Sequence, residues 1–163
     1  KGIALEGMRL VAKYLPRAYK NCGDIEARTQ MMVAASMGAV AFQGGLGAIH
    51  AISHPIGALF NTHHGTTNAV LIPNVLNMNR IAIEIAIERA SVYLGLKGGF
   101  DGFRSFVIEL NAMLGLPSKL GELGVIQNRA DEIVEMALED PSATSNPVPM
   151  TVEATRKLLY ETI

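Results

Sequence analysis

Gly47-Ala-Ile-His50-Ala-Ile-Ser-His54-Pro-Ile-Gly57-Ala-Leu-Phe-Asn61-Thr-His63-His64-Gly65 sets both the fold class and the chemistry to look for. Residues 46–60 read as a helix, with Pro55 marking a kink or a restart. Residues 60–65 read as a loop, and a further helix follows over about 66–79, bent at Pro73. His50 and His54 are spaced i, i+4, so a helix puts both on one face. All four histidines of the chain fall within these 15 residues, His50 to His64. They sit inside a longer span, Thr29 to Asn79, whose 51 residues include no Asp, Glu, Lys or Arg.

The whole chain has 163 residues, about one domain's worth, with 49% hydrophobic and 18% charged residues, which excludes disorder. Its 14 basic and 15 acidic residues leave a net charge of −1, so it has no basic field for nucleic acid or an anionic membrane. Cys22 is the single cysteine, which excludes an internally disulfide-stapled scaffold. A membrane span needs about 20 mostly apolar residues. The longest apolar run, Met31 to Phe42, has twelve and is interrupted by Gln43-Gly44-Gly45. Lys1 to Tyr14 alternate charged and apolar residues, unlike a signal peptide. The expectation is a cytoplasmic chain with no membrane or nucleic-acid partner.

Outward from the histidines the pattern stays helical. Residues 3–18 carry Ala4, Met8, Val11 and Leu15 at helical spacing. Asp24 is placed to cap a second helix reaching about Phe42. The C-terminal half of that helix is apolar all round, which predicts burial on every side. Residues 81–94 form the next predicted helix. Gly98-Gly99 stops the chain, and Asp101 is placed to cap the helix bearing Phe103, Phe106, Val107, Leu110, Met113 and Leu114, which ends at Gly115 and Pro117. Asn128, with Asp131 as in a capping box, predicts a helix over 129–138. Residues 140–150 read as a loop, and Thr151 opens the last helix. No strand of convincing length and no repeat occurs, so the expected architecture is an all-α multi-helix bundle.

A histidine on an apolar face is ordinarily a satisfied core residue. Four together with no charge nearby suit neutral imidazole, the form that binds first-row metals. Spacing alone leaves packing and metal or catalytic chemistry both open. No carboxylate adjoins the cluster in sequence, the nearest being Glu26 and Glu84.

The string from Phe42 through His50-Ala-Ile-Ser-His54-Pro-Ile-Gly57 and His64-Gly65 to Asn68-Ala-Val-Leu-Ile-Pro73 resembles the signature of the iron-containing (group III) alcohol dehydrogenases. Weaker similarity covers the rest, including Asp140-Pro-Ser-Ala and Asn146-Pro. The related dehydroquinate synthases and glycerol dehydrogenases share a metal-binding His-Gly but lack the paired His-x-x-x-His-x-x-Gly. The resemblance implies the C-terminal helical domain of the dehydroquinate synthase-like fold, with residues 1–163 as a single metal-binding and catalytic domain. It implies that His50 and His64 bind a divalent metal, iron or zinc. It implies that His54 lies beside the nicotinamide of NAD or NADP and takes part in proton transfer. His63 falls where relatives carry proline or histidine, and Asn61 where some carry aspartate, so neither receives a role. Phe42 falls near the nicotinamide side, with simple packing the plainer reading.

The implied reaction is oxidation of a small alcohol to an aldehyde or ketone by hydride transfer. The family's metal site also takes an aspartate and a further histidine spaced Asp-x-x-x-His, and its dinucleotide sits on an N-terminal α/β domain with a glycine-rich loop. This chain contains neither. It opens on Lys1-Gly2 and is helical at once, with no cap. The expectation is a domain cut just after the missing ligands, inactive alone, whose exposed apolar wall beside His54 favours homo-oligomers. The alternative reading is a non-enzymatic helical module whose apolar span is a partner interface.

Overall fold

The computed structural model describes residues 2–163. Seven α-helices follow one another: α1 (Gly2–Lys20), α2 (Ile25–Ala41), α3 (Gly47–Phe60), α4 (His64–Tyr93), α5 (Gly99–Met113), α6 (Ala130–Glu139) and α7 (Val152–Thr162). Short 3₁₀ turns lie at Phe42–Gly44, Leu120–Leu123, Gln127–Arg129 and Pro141–Ser145. No strand occurs among the described residues, so the chain is all-α as its periodicity requires. Contacts divide it into two compact units. The first runs through Gly44 and adds Ile85–Phe106; the second comprises Gly45–Glu84 and Val107–Ile163.

In the first unit α1 and α2 form an antiparallel pair around buried Leu10, Tyr14, Ala27 and Ala34. Asp24 caps α2 as expected, its carboxylate accepting the Ala27 N–H at 3.0 Å, and Arg17 bridges Asp24 and Glu26. The predicted all-round burial of α2 does not occur: Met32 is 74% and Val40 55% exposed, and only Ala27 and Ala34 are buried. Ala27 and Ala34 pack on α1 together with the half-buried Met31 and Met37, whereas Met32, Val33 and Val40 are exposed. A uniformly apolar helix carries no moment that says which side is covered.

The second unit holds the larger core. Ile52 and Ile56 of α3 are fully buried among Val70, Leu71 and Val75 of α4, Ile133, Val134 and Ala137 of α6, and Leu158 and Leu159 of α7. Each buried aliphatic side chain of this size contributes about 1.5–3 kcal/mol. α3 is thereby fixed along its length, and Pro55 lies inside it without ending it.

Helix α4 corrects the expected pair of helices at 66–79 and 81–94: it is one helix of 30 residues through Pro73. Proline at 73 leaves the Ala69 carbonyl without its intrahelical donor. The Asn111 amide of α5 supplies a replacement, donating to that carbonyl at 2.8 Å. A mid-helix proline is tolerated when a side chain satisfies the freed group. Asn111→Ala removes that donor, and a loss of about 1–2 kcal/mol is expected on urea unfolding, the cost of an unsatisfied part-buried acceptor. An unchanged midpoint would mean that water replaces the amide.

Merging the two segments also makes α4 the one helix among the described residues that is long and apolar enough to cross a membrane, with a mean hydropathy of 1.3 over its best window. Asn68, Asn74, Asn77 and Asn79 lie along it, and amides are costly in hydrocarbon.

Three further boundaries differ. Asp101 lies inside the first turn of α5, which starts at Gly99, rather than before it, and there its charge suits the helix dipole. Asn128 lies in the 3₁₀ turn Gln127–Arg129, so the expected capping box is absent. Arg129 precedes α6 without a side-chain cap and instead pairs with Glu132 at 2.7 Å. The 140–150 loop contains an ordered 3₁₀ turn. Thr151 does cap α7, its hydroxyl accepting the Ala154 N–H at 3.2 Å.

Candidate functional site

The site lies within the second unit, where α3 ends and α4 begins. α3 stops at Asn61, whose backbone adopts φ 53° and ψ 38°, the left-handed cap conformation. It is the one non-glycine residue with positive φ among those described. Asparagine tolerates this conformation, whereas a β-branched residue pays for its Cβ. Asn61→Val is expected to lower stability by about 1–2 kcal/mol and Asn61→Gly to leave it nearly unchanged, as read by thermal unfolding. Equal midpoints for the two variants would show that the turn does not depend on this conformation. Asn61 therefore has a structural role that its sequence context did not reveal.

The reversal at Asn61 brings α4's first residue back over α3. The rings of His50 and His64 lie 5.2 Å apart between centroids, His54 and His64 5.7 Å, and His50 and His54 5.8 Å. The fourth histidine, His63, does not join them. His63 caps α4: its Nδ1 accepts the Thr66 N–H at 3.3 Å and lies 3.1 Å from the Thr66 hydroxyl. Phe42 belongs to the first unit and is 54% exposed.

The three converging histidines differ in environment. His50 is half-buried. Burial pushes its imidazole below the ordinary value, and the neighbouring His64 and His54 push it further, partly opposed by a hydrogen bond to the Leu46 backbone. His50 is therefore neutral near pH 7, with a lone pair to offer. His64 is exposed, and its Nε2 lies 3.0 Å from the Asn68 amide nitrogen. The Asn68 Oδ1 beside it is buried with no hydrogen-bond partner. His54 is also exposed, with 43% of its side chain accessible, yet its Nδ1 lies 2.8 Å from Asp140 Oδ2.

Asp140 is the residue that sequence reasoning missed. It lies 86 positions beyond His54, so no spacing rule could pair them. The available signal was Asp140-Pro141 at the head of the loop. Burial alone would raise its carboxyl. Hydrogen bonds from His54 and from Ser142 outweigh that and hold it below the usual carboxylate range.

The loop that carries Asp140 is keyed to α3. Leu46 precedes α3 without a side-chain cap of its own. The Ser145 hydroxyl accepts the Gly47 N–H at 3.1 Å, and Asn146 Oδ1 accepts the Ala48 N–H at 3.0 Å. Asn146 and Asn79 exchange two amide hydrogen bonds, at 2.9 and 2.8 Å. A Cβ on Gly45, which has φ 103°, would stand 2.4 Å from Ser145 Cβ, so only glycine fits this junction.

The donor chemistry suits part of a metal site. Two imidazole nitrogens on one tetrahedral ion, each at about 2.0–2.1 Å, hold their ring centroids about 5 Å apart. The His50–His64 separation of 5.2 Å meets this, and the orphaned Asn68 oxygen adds a polar position beside it. Among the described residues no group of three or more His, Cys, Asp or Glu is disposed to hold a metal ion. The pair therefore supplies two ligands, fewer than the usual four.

Comparison with known proteins gives this cluster its context. The family model of the Fe-containing alcohol dehydrogenase family, C-terminal, matches residues 1–163. A 4-hydroxybutyrate dehydrogenase of Cupriavidus necator is 34% identical over 99% of this chain and 44% of its own length. An NAD-dependent methanol dehydrogenase of Bacillus methanolicus is 37% identical over 92% of this chain and 42% of its own. The crystal structure of a 1,3-propanediol oxidoreductase superposes with a TM-score of 0.96 at 28% identity, covering all of this chain and 45% of that one. The chain thus spans less than half the length of the curated relatives it matches. A whole-chain match of this kind, on a helical fold that gathers His50, His54 and His64, places the chain in the Fe-containing alcohol dehydrogenase family, over its C-terminal region.

Proposed function

We propose that this chain is the helical catalytic domain of a metal-dependent, NAD(P)-linked dehydrogenase that interconverts a small alcohol and its aldehyde or ketone. The observation that carries the reading is the convergence of His50, His54 and His64 at the α3–α4 turn, with His54 alone tied to a carboxylate. His50 and His64 would hold the divalent metal, iron or zinc. Bound there, the metal supplies Lewis acidity to the alcohol oxygen, and NAD or NADP supplies the hydride acceptor. His54 receives the hydroxyl proton on the ring nitrogen that Asp140 does not engage. His50, neutral by burial, would offer its lone pair to the metal and so leave that proton to His54.

Relatives more than twice as long support a second region that contributes the aspartate, the further histidine and the dinucleotide site. Two imidazoles alone bind metal weakly, so the 163 residues by themselves are expected to be inactive. The test is NAD(P)H formation from a series of small alcohols with iron or zinc present. It compares this chain with a protein extended by an N-terminal region of the kind its relatives carry. Turnover only in the extended protein is the expected result. Turnover by the chain alone would overturn the shared site, and none in the metal-loaded extended protein would overturn the reaction.

The exposed apolar side of α2, with Met32 74% and Val40 55% accessible, favours the second reading of a helical interaction module. That reading requires metal content and turnover to be indifferent to His50 and His64.

A further inference from the structure

We propose that Asp140 is a positioning residue for His54, fixing the ring's orientation and its tautomer so that Nε2 is the proton-accepting atom. The proposal rests on the reading of His54 given above. The geometry carries it. Asp140 Oδ2 lies 2.8 Å from His54 Nδ1, while Oδ1 accepts the Ser142 N–H at 2.7 Å. The carboxylate is 14% accessible and the imidazole 43%, so the anchor is covered and the working end of the ring is open. A carboxylate is acceptor-only, so a neutral His54 must carry its proton on Nδ1 and leave the lone pair on Nε2.

Nothing in a surface histidine's own rotamers enforces that choice. The loop does. Asp140 caps the 3₁₀ turn Pro141–Ser145, and Ser145 and Asn146 at its far end cap the first turn of α3. The helix that bears His54 and the loop that bears Asp140 are therefore held in register at a second place. Asn79 of α4 ties to the same Asn146, so the helix bearing His64 shares that anchor. One loop sets the tautomer of one ring and the register of both helices.

Asp140→Asn separates orientation from folding, because an asparagine carbonyl still caps the Ser142 N–H. The amide's other end is then an NH2, a donor only, so it no longer favours a proton on His54 Nδ1 and instead favours the tautomer protonated on Nε2. In the extended, metal-loaded protein this variant is expected to lower kcat roughly 10- to 100-fold, the usual cost of losing an orienting partner. KM for the alcohol and metal content should stay unchanged, and Asp140→Glu should recover part of the loss. In ¹⁵N-resolved imidazole spectra of the chain itself, His54 should show a protonated Nδ1 in the parent and a shift toward the Nε2-protonated tautomer in Asp140→Asn. Unchanged kcat, or a loss that follows metal content, would overturn the proposal. So would a parent His54 spectrum without the Nδ1 proton, even if no variant folds. If the extended protein shows no turnover at all, the tautomer spectra still decide on Asp140 independently of the reaction.

Discussion

His64→Ala, made in the extended protein, is expected to abolish metal binding and lower turnover by well over the roughly 100-fold that loss of an outer partner costs. The fold should hardly respond. His64 is exposed at the first position of α4, and exposed substitutions away from caps and cores usually stay within about 0.5 kcal/mol. His50→Ala should lose metal and activity to the same degree, with a somewhat larger cost to stability, since His50 is half-buried and bonded to the Leu46 backbone. His54→Ala should behave differently, losing turnover while keeping metal. Metal stoichiometry, kcat and thermal unfolding of the metal-free proteins together separate the three roles. A large stability loss at His64 with metal retained would make these rings packing residues and remove the basis of the proposed reaction.

The helices are legible because most carry a one-sided apolar pattern, and some have side-chain caps close at hand. Asp24 and Thr151 cap helices within three residues of themselves, and both caps form. Failures came where the decisive partner is remote. The sequence pattern keeps Pro73 inside a helix but ends that helix at 79, whereas α4 runs on to Tyr93; the Ala69 carbonyl freed by Pro73 is met by Asn111, 38 positions later. The start of α3 is capped from Ser145 and Asn146, 98 positions away. In α2 the apolar residues surround the helix, so composition announced burial where only Ala27 and Ala34 are covered.

The site shows the same division. The i, i+4 pair His50 and His54 follows directly from helical geometry. That His64 joins them while His63 turns away to cap α4 depends on one left-handed residue, Asn61, and on where the next helix begins. No carboxylate adjoins the histidines in sequence, and the one that reaches His54 is distant along the chain. It arrives from the Asp140 loop, placed by the packing of α6 against α3.

Gly102→Ala is expected to give the largest loss of stability of any single methyl added to this chain. α4 ends at Tyr93, and the chain then turns through Gly95 at φ 72°, Gly98 at φ 89° and Gly99 at φ 58° into α5. That reversal is tight enough to lay the Lys97 carbonyl against the first turn of α5. A Cβ at residue 102 would stand 1.8 Å from the Lys97 oxygen and 2.8 Å from its carbon. Both obstacles are backbone, so no side chain can swing aside. The turn would have to open, breaking the Gly102 N–H bond to the Gly98 carbonyl, now 3.0 Å. Overpacking costs 1–3 kcal/mol where side chains can adjust and more where they cannot. A loss of about 3 kcal/mol or more is expected, a fall in melting temperature of roughly 6–12 °C at this chain length.

Gly38→Ala is the matched control. Gly38 lies inside α2, and a Cβ there meets nothing within 4 Å. The same methyl should stabilise by about 0.5–1 kcal/mol through the unfolded chain. Opposite signs at the two glycines would show that the clash at the α4–α5 turn, rather than glycine's general flexibility, decides the outcome. A neutral Gly102→Ala would mean that this turn opens at little cost.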